Sequence, residues 1–70
     1  MTDPAVREQA AREMLRQADR EARYWAAERR AALWDLYAQH GTWPKVAAAI
    51  EQPLPTITKA AYKRPREDQP

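Results

Sequence analysis

Seventy residues make one domain at most, near the lower limit at which a single core holds a fold without a staple or a second subunit. The chain has no Cys, no Ser and one His, so a disulfide framework, a Cys-based metal site and the common nucleophiles are excluded, and it has no Gly-rich phosphate loop; it reads as a binding protein, not an enzyme, with no cofactor. Net charge is +2, but it is unevenly placed: residues 1–40 carry seven Arg against seven Asp or Glu, whereas residues 42–66 carry five basic residues against Glu51 alone, a net of +4. A phosphate-binding surface belongs on that second segment.

Residues 4–40 read as one continuous helix. Asp3 offers an N-cap, Pro4 a first helical residue and Gly41 a helix-ending residue, with His40 in the last turn, where the macrodipole favours it. No Gly or Pro interrupts the span, and Ala, Arg, Glu, Gln and Leu dominate it. Such a rod would be roughly 55 Å long. At 100° per residue, Ala11, Met14, Leu15, Ala18, Ala22, Trp25, Leu33 and Leu36 share one apolar stripe. Leu15, Ala18, Ala22, Trp25, Arg29, Ala32 and Leu36 also fit a heptad seam, with Arg29 as its polar intruder.

A single seam cannot bury itself. Leu33, Leu36 and Tyr37, in the last turns, suit the first helix of a three-helix domain, while Met14 to Trp25 are left projecting. The same helix of a second chain would cover them, which makes a coiled-coil homodimer the expected state, with Ala11, Met14, Leu15, Ala18, Ala22 and Trp25 at its interface. Arg12, Arg16, Arg20, Arg23 and Arg30 line one flank of the rod, and Glu13, Glu21, Glu28 and Asp35 the other. The Arg flank reads either as a phosphate-binding stripe or, preferably, as a solvated face with i,i+4 partners such as Glu8–Arg12 and Asp19–Arg23.

Thr42 is an N-cap candidate, and Pro44 falls in the first turn of a short helix from Trp43 to about Glu51, with Val46, Ala47 and Ile50 facing inward. Pro53-Leu54-Pro55 then breaks and restarts the chain. A second helix over 55–64 turns Ile57, Ala60 and Ala61 inward and leaves Thr56, Thr58, Lys59, Tyr62 and Lys63 outward. Trp34, Tyr37 and Trp43 bracket the join and read as packing groups. Tyr62 has two readings, a phosphate contact or a cover over the end of the core. Lys45, a cation in the first turn of a helix, opposes the dipole and hints at a phosphate there.

This stretch, TWPKVAAAIEQPLPTITKAAYKR, resembles the helix-turn-helix family of bacterial transcription regulators, on Val46, Ala47, Ile50, Ile57 and Ala60. It departs from the family at Glu51, where Gly usually stands in the turn, and at Gln52, where an aliphatic residue is usually buried; Leu54 is the candidate to take over that buried role. Together with the rod read from residues 4–40, the resemblance implies an all-α fold with a long N-terminal amphipathic helix running into a three-helix helix-turn-helix unit. Residues 1–27 would be the projecting, dimerising part, 28–64 the DNA-binding unit and 65–70 a disordered tail. Thr56, Thr58 and Lys59 would meet base edges in the major groove of double-stranded DNA, and Thr42, Lys45, Lys63 and Arg64 would hold phosphates, joined by Tyr62 in its first reading.

The expected function is sequence-specific DNA binding by a small homodimeric transcription regulator. The alternatives are a protein-protein adaptor using the long helix, or a nucleic-acid module of a phage or polymerase assembly. The sequence opens without the apolar run of a signal peptide and holds no membrane span, so a cytoplasmic, nucleoid-associated location is expected, with no small-molecule effector. Nine Arg to three Lys and abundant Ala suit a bacterial, high-GC source.

Overall fold

The computed structural model describes residues 3–62, which form four α-helices and, among the described residues, no strand. They are α1, Pro4–Gln17; α2, Ala22–His40; α3, Trp43–Ile50; and α4, Leu54–Tyr62. The all-helical class is therefore as expected, and the long α2 runs directly into the two shorter helices.

The continuous helix expected over residues 4–40 is corrected: it is interrupted at residues 18–21. Ala18 is extended at φ −81° and ψ 132°, and α2 begins only at Ala22. The longest dimension is 33 Å, well short of the expected rod. The physical reason is burial. A straight rod in a lone chain would leave its apolar stripe in water, whereas folding α1 back onto α2 buries Ala11 and Ala32 completely at the loss of a few helical hydrogen bonds. Residues 4–27 accordingly do not project as an arm, and α1 reaches the core itself through Ala5.

Ion pairs fix the register of the hairpin. Arg7 bridges Glu28 at 3.0 Å and Asp35 at 2.7 Å, and the hydrogen bonds to Asp35 and Glu28 hold its guanidinium above its ordinary pKa. Glu8 is fully buried, and its carboxylate accepts from Arg29 Nε at 2.9 Å and from Arg12 Nε at 3.1 Å. Arg29, the intruder in the seam, thus has a partner within the chain.

Leu33 and Leu36 of α2, Val46 of α3, and Ile57 and Ala61 of α4 form the buried core, with Tyr37, Trp43, Ala47, Ile50 and Ala60 packed around it. These are the residues whose helical spacing points inward, and they make α2, α3 and α4 a three-helix unit. The junctions between these helices are closed by local chemistry. Gly41 ends α2 at φ +88°, a left-handed conformation open to Gly, and its N–H donates to the Tyr37 carbonyl. Thr42 starts α3 at once, its hydroxyl accepting from the Lys45 amide.

Candidate nucleic-acid interface

The turn between α3 and α4 is set by Glu51, which ends α3 in the left-handed region at φ 55° and ψ 46°. It is the only non-Gly residue with positive φ among the described residues. This is the position at which the sequence departs from the helix-turn-helix pattern, where Gly usually stands. The backbone here adopts the conformation that Gly favours, and Glu51 takes it at a cost of about 1–2 kcal/mol. The Gln52 amide donates to the Ala47 carbonyl, completing the cap, and the Pro53 carbonyl accepts from both Thr56 and Ile57 to start α4.

α4 begins at Leu54, one residue earlier than expected. Leu54 is 38% exposed, so the buried role given to it is corrected; Ile57 and Ala61 fill the core from this helix, and Leu54 opens the first turn on the outer side. Gln52 is half-buried. Ile57 is fully buried, and together with Ala61 it orients the rest of α4. With Ile57 and Ala61 inward, the helical period turns Thr56, Lys59 and Tyr62 outward, and all three are exposed.

The outward residues differ in what they can still do. Thr58 is half-buried and its hydroxyl donates back to the Leu54 and Pro55 carbonyls, at 3.1 and 3.3 Å, so only its lone pairs remain for a base edge. Tyr62 packs over the end of the core. Its ring stacks edge-on against Trp34 and Trp43, at centroid distances of 5.2 and 5.9 Å, and its oxygen accepts from the Trp43 indole N–H at 3.1 Å. The phenolic proton is not used in that bond and stays free to donate. Trp34, whose ring packs against those of Tyr37 and Trp43, donates its own N–H to the Ala61 carbonyl at 3.1 Å and so ties α2 to the end of α4.

Lys45 and Lys59 are exposed, and neither enters an ion pair among the described residues. At the start of α3 the Lys45 amide is held by the Thr42 hydroxyl at 3.4 Å and the Val46 amide by the Thr42 carbonyl, while Pro44 has no N–H. A phosphate at this helix end would therefore be met by the Lys45 ammonium more than by backbone amides. Lys63 and Arg64 lie outside the described residues, as does the tail at 65–70.

The arginine flank does not survive as one stripe, because the chain reverses within it. Arg12 is committed to Glu8 at 3.0 Å, as its i,i+4 spacing suggested, while Arg16, Arg20 and Arg23 stand exposed around the 18–21 break. Of the residues assigned to a dimer seam, Ala11 is fully buried inside the chain and Met14, Leu15, Ala18, Ala22 and Trp25 are half-buried. The premise that this seam has no partner within its own domain is thus corrected. The Glu8–Arg29 pair was the feature sequence reasoning missed. Its signal was available: Glu8 stands seven residues before Leu15 and so occupies the same seam as Arg29.

No protein-family model, no curated protein and no solved structure matches the chain. Among the described residues, no helix is long and apolar enough to cross a membrane.

Proposed function

We propose that the α2–α3–α4 unit is a helix-turn-helix module that binds double-stranded DNA, with α4 lying in the major groove. The observation that carries the proposal is the pairing of two features on α4: a fully buried Ile57 that fixes the helix, and an opposite face that presents Thr56, Lys59 and Tyr62 to solvent. The left-handed turn at Glu51 supports it, since a sharp turn of this hand is what sets the two helices of such a module at an angle. So does the charge. Among the described residues Lys45 and Lys59 pair with no carboxylate, while Arg7, Arg12 and Arg29 spend their charge inside the α1–α2 layer.

In this reading Thr56 and Lys59, near the start of α4, read base edges, and Lys45, Thr42 and the Tyr62 hydroxyl hold phosphates. A role in transcription regulation follows if the reading is sequence-specific. The adaptor alternative has less support, because it needs a free amphipathic helix and the apolar faces of α1 and α2 pack on each other.

The test is binding of the full chain to a random duplex across a salt series, followed by selection of a preferred site. Affinity that falls linearly with log salt, and a site preferred over random duplex, is the expected result. No binding at low salt would remove the proposal.

A further inference from the structure

The two helix ends that meet at residues 18–21 lack what the neighbouring ends have. Asp3 caps α1 through its carboxylate and Thr42 caps α3 through its hydroxyl, and Gly41 and Glu51 close α2 and α3 in left-handed conformations. At the break, Ala18 is merely extended and Glu21 makes no side-chain cap. Ala18-Asp19-Arg20-Glu21 contains neither Gly nor Pro. Nothing local stops a helix here. If the two helices joined, the last carbonyls of α1 and the first amides of α2 would satisfy one another.

The seam keeps one register through the break. Glu8, Ala11, Leu15 and Ala18 precede it in alternating steps of three and four residues. Ala22, Trp25, Arg29, Ala32 and Leu36 continue the same alternation after it. Glu8, Ala11, Ala32 and Leu36, toward the two ends of this run, are fully buried in the hairpin, while Leu15, Ala18 and Ala22, at its centre, are only half-buried. A seam continuous across a turn is the pattern of a straight helix with a partner along its whole length.

The ion pairs identify that partner. Glu8–Arg29, Arg7–Glu28 and Arg7–Asp35 all have their sequence midpoint between Gln17 and Glu21, at the break itself. Two straight helices laid antiparallel, with the two-fold axis at this midpoint, bring the same residues together between chains: Glu8 of one faces Arg29 of the other, and each pair occurs twice. The half-buried Leu15, Ala18 and Ala22 then meet their counterparts around the axis, where small side chains allow close approach. Buried donors in this layer, Trp25 Nε1 and Arg29 Nη2, have no acceptor among the described residues, so the hairpin is not the best-satisfied part of the fold.

We propose that the α1–α2 layer takes a second copy of this chain as its partner: residues 18–21 become helical, α1 and α2 join, and α1 docks on the other chain's α2 in a domain-swapped antiparallel dimer. A short hinge of helix-forming residues is the usual site of such an exchange. The swap moves α1 with its Ala5 contact to the other core and leaves α2, α3 and α4 of each chain together. It holds whether or not α4 binds DNA, and its test contains none.

The test uses charge exchange between two full-length chains. Glu8→Arg alone places two cations at the buried layer, and Arg29→Glu alone places two carboxylates there, so each variant should lose helicity and melt below the wild type. The double variant in one chain is the control that the exchanged pair is tolerated. Mixing the two single variants in equal amounts restores the opposite-charge pair only in a swapped dimer, so the mixture should regain the wild-type circular dichroism and elute at the dimer mass by light scattering. Wild type should pass from monomer to dimer as its concentration rises to the millimolar range. Asp19→Pro should hold it as a monomer, because Pro accepts the extended Ala18 before it and blocks a joined helix. Should that variant lose helicity, a Gly-Gly-Gly insertion after Asp19, which lets the hairpin close without strain, gives the same reading. A wild type monomeric throughout, a dimer indifferent to both linker changes, or a mixture that stays unfolded when the double variant folds would overturn the proposal.

Discussion

The Trp43 indole N–H donates to the Tyr62 hydroxyl across 3.1 Å, joining the first residue of α3 to the last residue of α4. The two ends of the candidate DNA-binding unit are thereby closed by one bond over a set of rings, with Tyr37 and Trp34 stacked beside them at centroid distances of 4.7 and 5.0 Å from Trp43. Tyr62→Phe keeps the ring and removes the bond. Because the bond is exposed, the loss should be at the low end of the usual range, about 0.5–1 kcal/mol by urea melts. In a Trp43→Phe background the same change should cost nearly nothing, and equal costs in both backgrounds would show that the hydrogen bond contributes no stability.

Glu51 carries a backbone cost that a single substitution removes. At φ 55° a Cβ crowds the following carbonyl, and Gly does not have one. Part of the gain is offset, because Gly also widens the unfolded ensemble. Glu51→Gly should raise stability by about 0.5–1 kcal/mol, read as a higher urea midpoint at unchanged slope. The mirror change is Gly41→Ala, at φ +88° with nothing within 4 Å of the added Cβ; it should cost about 1–2 kcal/mol through backbone strain alone. A neutral result at both positions would mean that these turns relax out of the left-handed region.

How far these features could be read beforehand depended on punctuation. Gly41, Thr42 and Pro44 mark the α2–α3 join, and Pro53 and Pro55 mark the start of α4, so these boundaries and the inward set Val46, Ile50 and Ile57 followed from the residues themselves. The break at 18–21 carries no such mark. The helix there is stopped by tertiary packing, and the heptad spacing runs through the break without a change of register. Leu54 failed for a related reason: the apolar residues of α4 compete for one core, and Ile57 and Ala61 take it, with Ala60 packed beside them. Thr58 looked like a reader on helical phase alone, which does not reveal a hydroxyl donating to its own helix.

Glu8 and Arg29 make the hairpin sensitive to charge. Glu8→Ala would leave Arg29, whose side chain is only 14% exposed, without its carboxylate, and the expected cost is about 3–5 kcal/mol. That is enough to unfold a chain of this size at elevated temperature. Arg12→Ala should cost about 0–1 kcal/mol, because this pair lies within one helix and Arg29 still neutralises Glu8. Replacing Glu8 and Arg29 together with Leu should recover most of the loss, or exceed wild type, since no buried charge remains. If Glu8→Ala melts like wild type in thermal scans, the burial of this pair is not energetically significant.

Readout on DNA divides between side chains that position the module and those that specify sequence. Lys45 stands at the start of α3, outside the helix that would enter the groove, and its ammonium has no ion-pair partner among the described residues. Lys45→Ala should therefore weaken binding to every duplex alike and reduce the magnitude of the log–log salt slope by about 0.9, the value of one phosphate contact. Lys59 is exposed on the outward face of α4, two residues from the buried Ile57 that fixes that helix. In the proposed complex a side chain so held would meet the groove floor in a defined direction, and Lys59→Ala should cost about 1–3 kcal/mol on a selected site with a much smaller loss on random DNA. Binding of both variants and of wild type to the two DNAs, each across a salt series, checks the pair together. Equal losses on both DNAs for Lys59→Ala would reduce it to a phosphate contact, and the specificity would then have to come from Thr56 or from the shape of the duplex.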